Sequence, residues 1–145
     1  MKVKIAKNID DINICYKLRE IVFIKEQNVP IDRERDEQDK IAVHFLLYDE
    51  TTPIGTGRIV IDVDTVTLGR ICILKEYRSK GAGLFLMKEI IDYCKKQNFR
   101  KIILGAQEHA LDFYKKLGFE VCSEKYMDAN ISHYKMNLEF SVKIN

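Results

Sequence analysis

Arg78-Ser79-Lys80-Gly81-Ala82-Gly83 is the stretch of this chain whose residue types and spacing are best suited to chemistry. Two glycines one residue apart let the backbone turn tightly and bring N–H groups close to a ligand. The helical pattern that follows presents its positive dipole end to the same point. Arg78 and Lys80 add charge where a pyrophosphate would need it, so the hexapeptide reads as an anion site built largely from backbone. A glycine-rich helix entry with solvated basic neighbours is the bland alternative. Competing phosphate motifs do worse: G-x-x-x-x-G-K-[ST] is absent, and Leu86 stands where a dinucleotide fingerprint needs a third glycine.

Other chemistry-bearing residues are scattered. His44, His109 and His133 show no ligand-like spacing, so no metal site is expected; His44, opening a predicted strand, is the one to test as a base, and His109 reads as a solvent-facing helix residue. Cys15, Cys72, Cys94 and Cys122 each stand alone without a C-x-x-C pair, which excludes zinc ribbons and thioredoxin-like motifs and suggests free thiols in a reducing, cytoplasmic setting. Cys72, inside an apolar strand with no base beside it, reads as inert.

These residues must be positioned by alternating strands and helices. Residues 3–6 read as a short strand, and Asp10 or Asp11 is expected to cap a helix with Ile12, Cys15, Leu18 and Val22 on its apolar face. The charge run 32–40, five acids against three bases, reads as a solvated loop or short helix whose net −2 could draw cationic amines. Residues 43–48, 56–61 and 66–74 then suggest an antiparallel meander. Residues 83–97 change to a helical period and 101–105 return to strand; a strand–helix–strand unit this short favours a parallel pair with a right-handed crossover. Ala110, Phe113, Tyr114 and Leu117 recur at helical spacing, with Gly118 placed as the terminator, and 119–122 and 132–140 are the final strands. The fold class is mixed α/β, a central sheet with helices on its faces, in one domain over residues 1–145.

The run Ile71-Cys72-Ile73-Leu74-Lys75-Glu76-Tyr77-Arg78-Ser79-Lys80-Gly81-Ala82-Gly83 resembles the acetyl-CoA-binding signature of the GNAT N-acetyltransferase superfamily, a hydrophobic strand followed by R/Q-x-x-G-x-G/A. Downstream, Gln107-x-x-Ala110-x-x-Phe113-Tyr114-x-Lys116-x-Gly118-Phe119 is similar to the superfamily's second signature. Phe23-Ile24-Lys25-Glu26-Gln27-Asn28-Val29-Pro30, with the run 32–39, resembles the ElaA and YjcF branch, so the likeness covers nearly the whole chain.

The resemblance implies the GNAT fold, a mostly antiparallel sheet with one splayed parallel strand pair, and direct acetyl transfer from acetyl-CoA to a primary amine of a small molecule or peptide. It implies cofactor contacts through the backbone of Ile71, Cys72 and Ile73, through Arg78, Ser79, Lys80, Gly81, Ala82 and Gly83, and through Gln107, which could reach the pantetheine amides or cap its helix. Tyr114, otherwise an ordinary core tyrosine, would donate a proton to the departing thiolate. Thr67-Leu68-Gly69-Arg70 carries no carboxylate or imidazole where several relatives hold a general base. Glu26, in the region that covers the acceptor site, is the expected substrate contact or base, with His44 as the second acceptor-side residue.

A charge balance of 24 basic against 22 acidic residues is far from that of a dedicated nucleic-acid binder, and Lys95, Lys96, Arg100 and Lys101 lack interleaved aromatics. No apolar run approaches a membrane span, and the N-terminus lacks a signal-peptide core. An edge strand near the C-terminus allows a homodimer. The competing function is a CoA-binding sensor or regulatory module without turnover, supported by the unassigned base.

Overall fold

The structure is a computed structural model that describes residues 1–140. Strand β1 (Lys2–Ala6) leads into helix α1 (Ile9–Arg19). Asn8, not Asp10 or Asp11, caps the helix: its side chain accepts from the Asp11 N–H at 2.8 Å, and the two aspartates occupy the first turn, where the dipole favours them. Cys15, Leu18 and Val22 bury the expected face against Leu46 and Cys72. The helix widens into a π-helical segment, Glu20–Glu26. After Pro30 come a single turn, α2 (Ile31–Glu34), and a 3₁₀ turn (Glu37–Lys40).

The sheet continues with β2 (Val43–Asp49), β3 (Thr52–Asp62), β4 (Thr65–Ile73), β5 (Lys101–Gln107), β6 (Glu120–Val121), β7 (Tyr126–Asp128) and β8 (Ile131–Glu139). Its order is β1-β2-β3-β4-β5-β8-β6, with β7 also on β8. Every pairing is antiparallel except β4–β5. The meander, the crossover and the parallel pair thus stand as the sequence predicts. The short strand β7 is the missed element. Its link to β8 is a two-residue turn, Ala129-Asn130, with both residues at positive φ, and without a glycine there the hairpin signal is weak.

Helix α3 (Ala82–Lys96) buries Leu86, Met87, Ile90, Ile91 and Cys94 on one face of the sheet. The shorter α4 (Leu111–Lys116) packs Phe113 and Tyr114 on the same side. Gly118, at φ +100°, closes α4: its N–H bonds to Lys115 O and that of Phe119 reaches back to Tyr114 O. The opposite face carries α1.

Two irregularities shape the centre of the sheet. The parallel pair is in register only from Thr65–Lys101 to Leu68–Leu104, after which β4 and β5 part. Next to that point β4 bulges: Arg58 faces Gly69 and Thr56 faces Cys72, so Arg70 and Ile71 together oppose Gly57. Arg70 sits at φ +53°. The bulge reverses the alternation. Val66 and Leu68 face the α3 core before it; Ile71 and Ile73 do so after it, which turns Cys72 and Arg70 toward α1 and α2.

Candidate active site

A cavity of about 860 Å³ opens where β4 and β5 part and is lined from both faces of the sheet. On the α3/α4 side lie Ile71, Ile73, Gly83, Phe113 and Tyr114. Gly83 lies so close to α4 that a Cβ there would be 3.5 Å from the Phe113 ring. On the other side lie Arg70, Gln107, Tyr126 and His133, with Phe23, Glu26 and Gln27 brought in by the π-helical turn and its cap. Gln107 donates to Gln27 Oε1 at 3.0 Å, which ties the end of β5 to that turn.

The glycine loop has the backbone the sequence suggests. Ser79 (φ +63°) and Gly81 (φ +82°) are left-handed, Gly81 caps α3, and its carbonyl accepts from Phe85 N–H at 2.9 Å. The N–H groups of the first turn of α3 are therefore free for an anion. Lys80 stands over the Tyr77 ring, 6.0 Å from its centroid.

Arg78 departs from the expected role of a phosphate cation. Its Nε donates to Ile73 O at 2.9 Å, and its two terminal nitrogens grip both oxygens of Glu26, one at 2.8 Å. The hydrogen bonds from Arg78 hold the Glu26 carboxyl below the usual carboxylate range. This weighs against Glu26 as a base, since a carboxylate with both oxygens on a guanidinium is a poor one. The pair ties the loop after β4 to the end of the first helix, and Glu26 still lines the cavity.

His44 is also corrected. It is 2% exposed beneath α1, its Nε2 lies 2.9 Å from Asp39 O, and it does not line the cavity. The acidic run takes the short-helix form the sequence allowed, in two single turns, and buries two of its acids, Glu34 and Asp39. Arg19 is 1% exposed; it donates to both oxygens of Glu34 and of Asp39, the shortest contacts being 2.7 Å. Arg58 grips Asp36 and reaches Asp39, and Arg70 donates to Glu34 O at 3.0 Å. Burial alone would raise the Asp39 pKa, but the bonds from Arg19 and Arg58 hold it far below the usual range. With three of its five acids matched to buried or half-buried arginines, the run loses the field expected to draw cationic amines.

Tyr114 is where the motif puts it. Its ring packs edge-on against Phe113 and Phe119, and burial pushes its phenol up to about 12. The group thus keeps its proton at neutral pH. Cys72 turns its side chain away toward Cys15 and Leu18, and burial pushes its thiol up to about 12, so it remains an unreactive thiol. Among the expected cofactor contacts, Ile71, Cys72, Ile73, Arg78, Gly83, Gln107 and Tyr114 line the cavity, whereas Ser79, Lys80, Gly81 and Ala82 form the loop and helix start beyond it. Among the described residues no cluster of His, Cys, Asp and Glu could hold a metal ion, and no helix is long and apolar enough to cross a membrane.

Residues 16–140 match the acetyltransferase (GNAT) domain model. The chain is 42% identical to the uncharacterized N-acetyltransferase YjcF of Bacillus subtilis over 137 residues, covering 94% of this chain and 98% of that protein. It is 30% identical to the protein ElaA of Escherichia coli over 128 residues, 85% of this chain and 84% of ElaA. The crystal structure of ElaA superposes with a TM-score of 0.85 over 95% of this chain and 99% of that one. A Bacillus subtilis acetyltransferase solved in complex with CoA shares the fold at TM-score 0.74 and 17% identity, over 97% of this chain and 99% of that one.

Proposed function

The chain belongs to the GNAT acetyltransferase family, and from that premise we propose that it transfers the acetyl group of acetyl-CoA directly to a primary amine. The observation that carries this reading is the cavity through the parted β4–β5 pair, with the protonated Tyr114 phenol on one side and the left-handed phosphate loop at its end. A CoA complex in a protein of the same fold supports the choice of cosubstrate.

The free N–H groups at the start of α3 and the Lys80 ammonium would hold the pyrophosphate. Arg78 contributes by fixing the end of β4 against Glu26. The unpaired edge of β4 beyond Leu68 offers backbone groups to the pantetheine amides as a neighbouring strand would. The bound cosubstrate supplies an activated acyl group. Proximity within the cavity and the Tyr114 proton supply what the chain itself adds.

The test is binding followed by turnover. Acetyl-CoA at saturating concentration should raise the Tm, and Gly81→Asp should abolish the shift while the protein still folds. A Cβ at Gly81 meets nothing within 4 Å, and aspartate tolerates a left-handed backbone better than most residues, so the added negative charge is what acts. Thiol release from acetyl-CoA with a panel of amines then completes the assignment. No shift in the wild type overturns it, and binding without thiol release returns a CoA-binding module.

A further inference from the structure

Direct transfer, on the acetyltransferase reading above, needs a base, because an ammonium has no lone pair with which to attack a thioester. Four carboxylates line the cavity, Glu26, Glu34, Asp36 and Asp128. Each meets an arginine: Glu26 with Arg78, Glu34 with Arg19, Asp36 with Arg58, and Asp128 with Arg33 at the solvated rim. The arginines hold the Glu26 and Asp36 carboxyls below their ordinary range. What remains is imidazole, from His109 and His133. His109 stands exposed on the turn after β5.

His133 is built differently. It faces Gln107 across the β5–β8 ladder and so lies on the α1 side of the sheet, opposite to Tyr114. Its Nδ1 is 2.7 Å from Ile131 O. A carbonyl has no proton to give, so Nδ1 carries the hydrogen and the neutral ring keeps its lone pair on Nε2. The sole buried side-chain nitrogen or oxygen without a partner among the described residues is His44 Nδ1. His133 Nε2 meets no hydrogen-bond partner among the described residues either and is not one of the sealed atoms, so it keeps contact with solvent, and His133 itself lines the cavity. Tyr126 stacks on the ring at 5.7 Å and 25°, which fixes its plane. The charged and titratable groups that line the same cavity are Tyr126 and Asp128 of β7, His109, Arg33 and Glu34 of α2, Asp36, Glu26, Arg58 of β3, Arg70 and Cys72 of β4, Arg78 and Tyr114; Lys135 shares the His133 face of β8 without lining the cavity. Asp128 is matched by Arg33, and Arg70 faces Glu34 and Asp36, so no free carboxylate competes for the proton.

The geometry points to His133 as the general base that takes the acceptor's proton. The ammonium gives one proton to Nε2, its lone pair forms the C–N bond to the thioester carbonyl carbon, and the C–S bond breaks. The thiolate takes the Tyr114 proton. The second amine proton leaves to solvent with that held on His133, and solvent returns one to Tyr114. The sum is ammonium plus thioester giving amide, thiol and one proton. Base and acid thus approach the reaction from opposite faces of the parted sheet.

The experiment compares wild type, His133→Gln, His133→Asn, His109→Gln and Asp128→Asn at pH 7, with benzylamine, which arrives protonated, and 2,2,2-trifluoroethylamine, which arrives neutral. His133→Gln and His133→Asn should lower kcat/KM for benzylamine by about a hundred-fold or more and remove the acidic limb of its pH profile. The loss with trifluoroethylamine should be much smaller, and acetyl-CoA affinity by calorimetry should not change. His109→Gln and Asp128→Asn should keep the wild-type profile. A second readout needs no acceptor and no variant: ¹⁵N NMR of the acetyl-CoA-bound protein should show His133 as the Nδ1–H tautomer, titrating at Nε2. Equal losses with both amines, a retained acidic limb in both His133 variants, transfer of the loss to Asp128→Asn, or an Nε2–H tautomer each overturns the assignment while leaving the acetyltransferase reading intact. A wild type that binds no acetyl-CoA overturns both.

Discussion

Tyr114 shows what burial does to a phenol proposed to give up its proton. Its phenol, raised to about 12 by desolvation, stays in the acid form through the whole neutral range, so the basic limb of a pH–rate profile at moderate pH should not come from this residue. Tyr114→Phe keeps the edge-on packing against Phe113 and Phe119 and removes only the proton. It is expected to lower kcat by about ten-fold or more with acetyl-CoA affinity unchanged, measured by steady-state kinetics and calorimetry. An unchanged kcat with chemistry rate-limiting would return the ring to a packing role. The packing of Tyr114 was legible because its neighbours in sequence, Phe113 and Phe119, are also its neighbours in space, while its role rests on the resemblance. The pairing of Glu26 was not legible. Its partner Arg78 lies 52 residues away, and nothing local distinguishes a paired carboxylate at a helix end from a free one. His133 was hidden for the same reason, since its orientation depends on the β7 hairpin, whose Ala129-Asn130 turn lacks the usual glycine.

The element that lines the cavity on the side opposite α3 is α1 with its π-helical extension, and it is held by an ion cluster instead of an apolar seam alone. Cys15, Leu18, Arg19 and Val22 fall at i, i+3, i+4 and i+7, so an arginine occupies a position of the buried stripe. That was the available signal. A charge on the apolar face demands buried partners, and the acids at 34 and 39 supply them. Read by composition the run 32–40 is a solvated loop or short helix; read against Arg19 it is an anchor that folds α2 onto α1. Arg19→Met leaves Glu34 and Asp39 buried without their main counter-charge and is expected to cost about 3–5 kcal/mol in urea unfolding. A loss within ~0.5 kcal/mol, the range of ordinary surface substitutions, would show that the cluster contributes specificity and not stability. The bulge at Arg70 is the second element-scale device. Its reversal of side-chain alternation within β4 could not be read from a period-two pattern, which assigns Ile71 and Cys72 to faces only if the ladder is unbroken.

At the scale of the whole molecule, β4 and β5 have no ladder between them beyond Leu68 and Leu104, so the ion cluster on one face and the apolar core on the other hold the cavity open. This coupling has a pH dependence whose sign follows from the carboxyls. Burial opposes ionisation of Asp39, but Arg19 and Arg58 outweigh it and depress its folded-state pKa; Asp36, bonded to Arg58, is lowered as well. A depressed carboxyl contributes stability that is fully present above the unfolded value of about 3.9 and is lost as pH falls from there through the folded value. The midpoint of urea unfolding should therefore be nearly flat from neutral pH down to about pH 5 and then drop steeply toward pH 3. Asp39→Asn should lower the midpoint throughout and flatten the acid drop, because one of the carboxyls that takes up the proton is gone. Imidazoles as a class take up a proton at higher pH than carboxyls do. Activity should thus fall on acidification while the fold is still at full stability, and the two losses should separate on one pH axis. If kcat/KM and the urea midpoint instead fall together below pH 5, acid inactivation is unfolding of the α1–α2 anchor, and the acidic limb carries no information about a base.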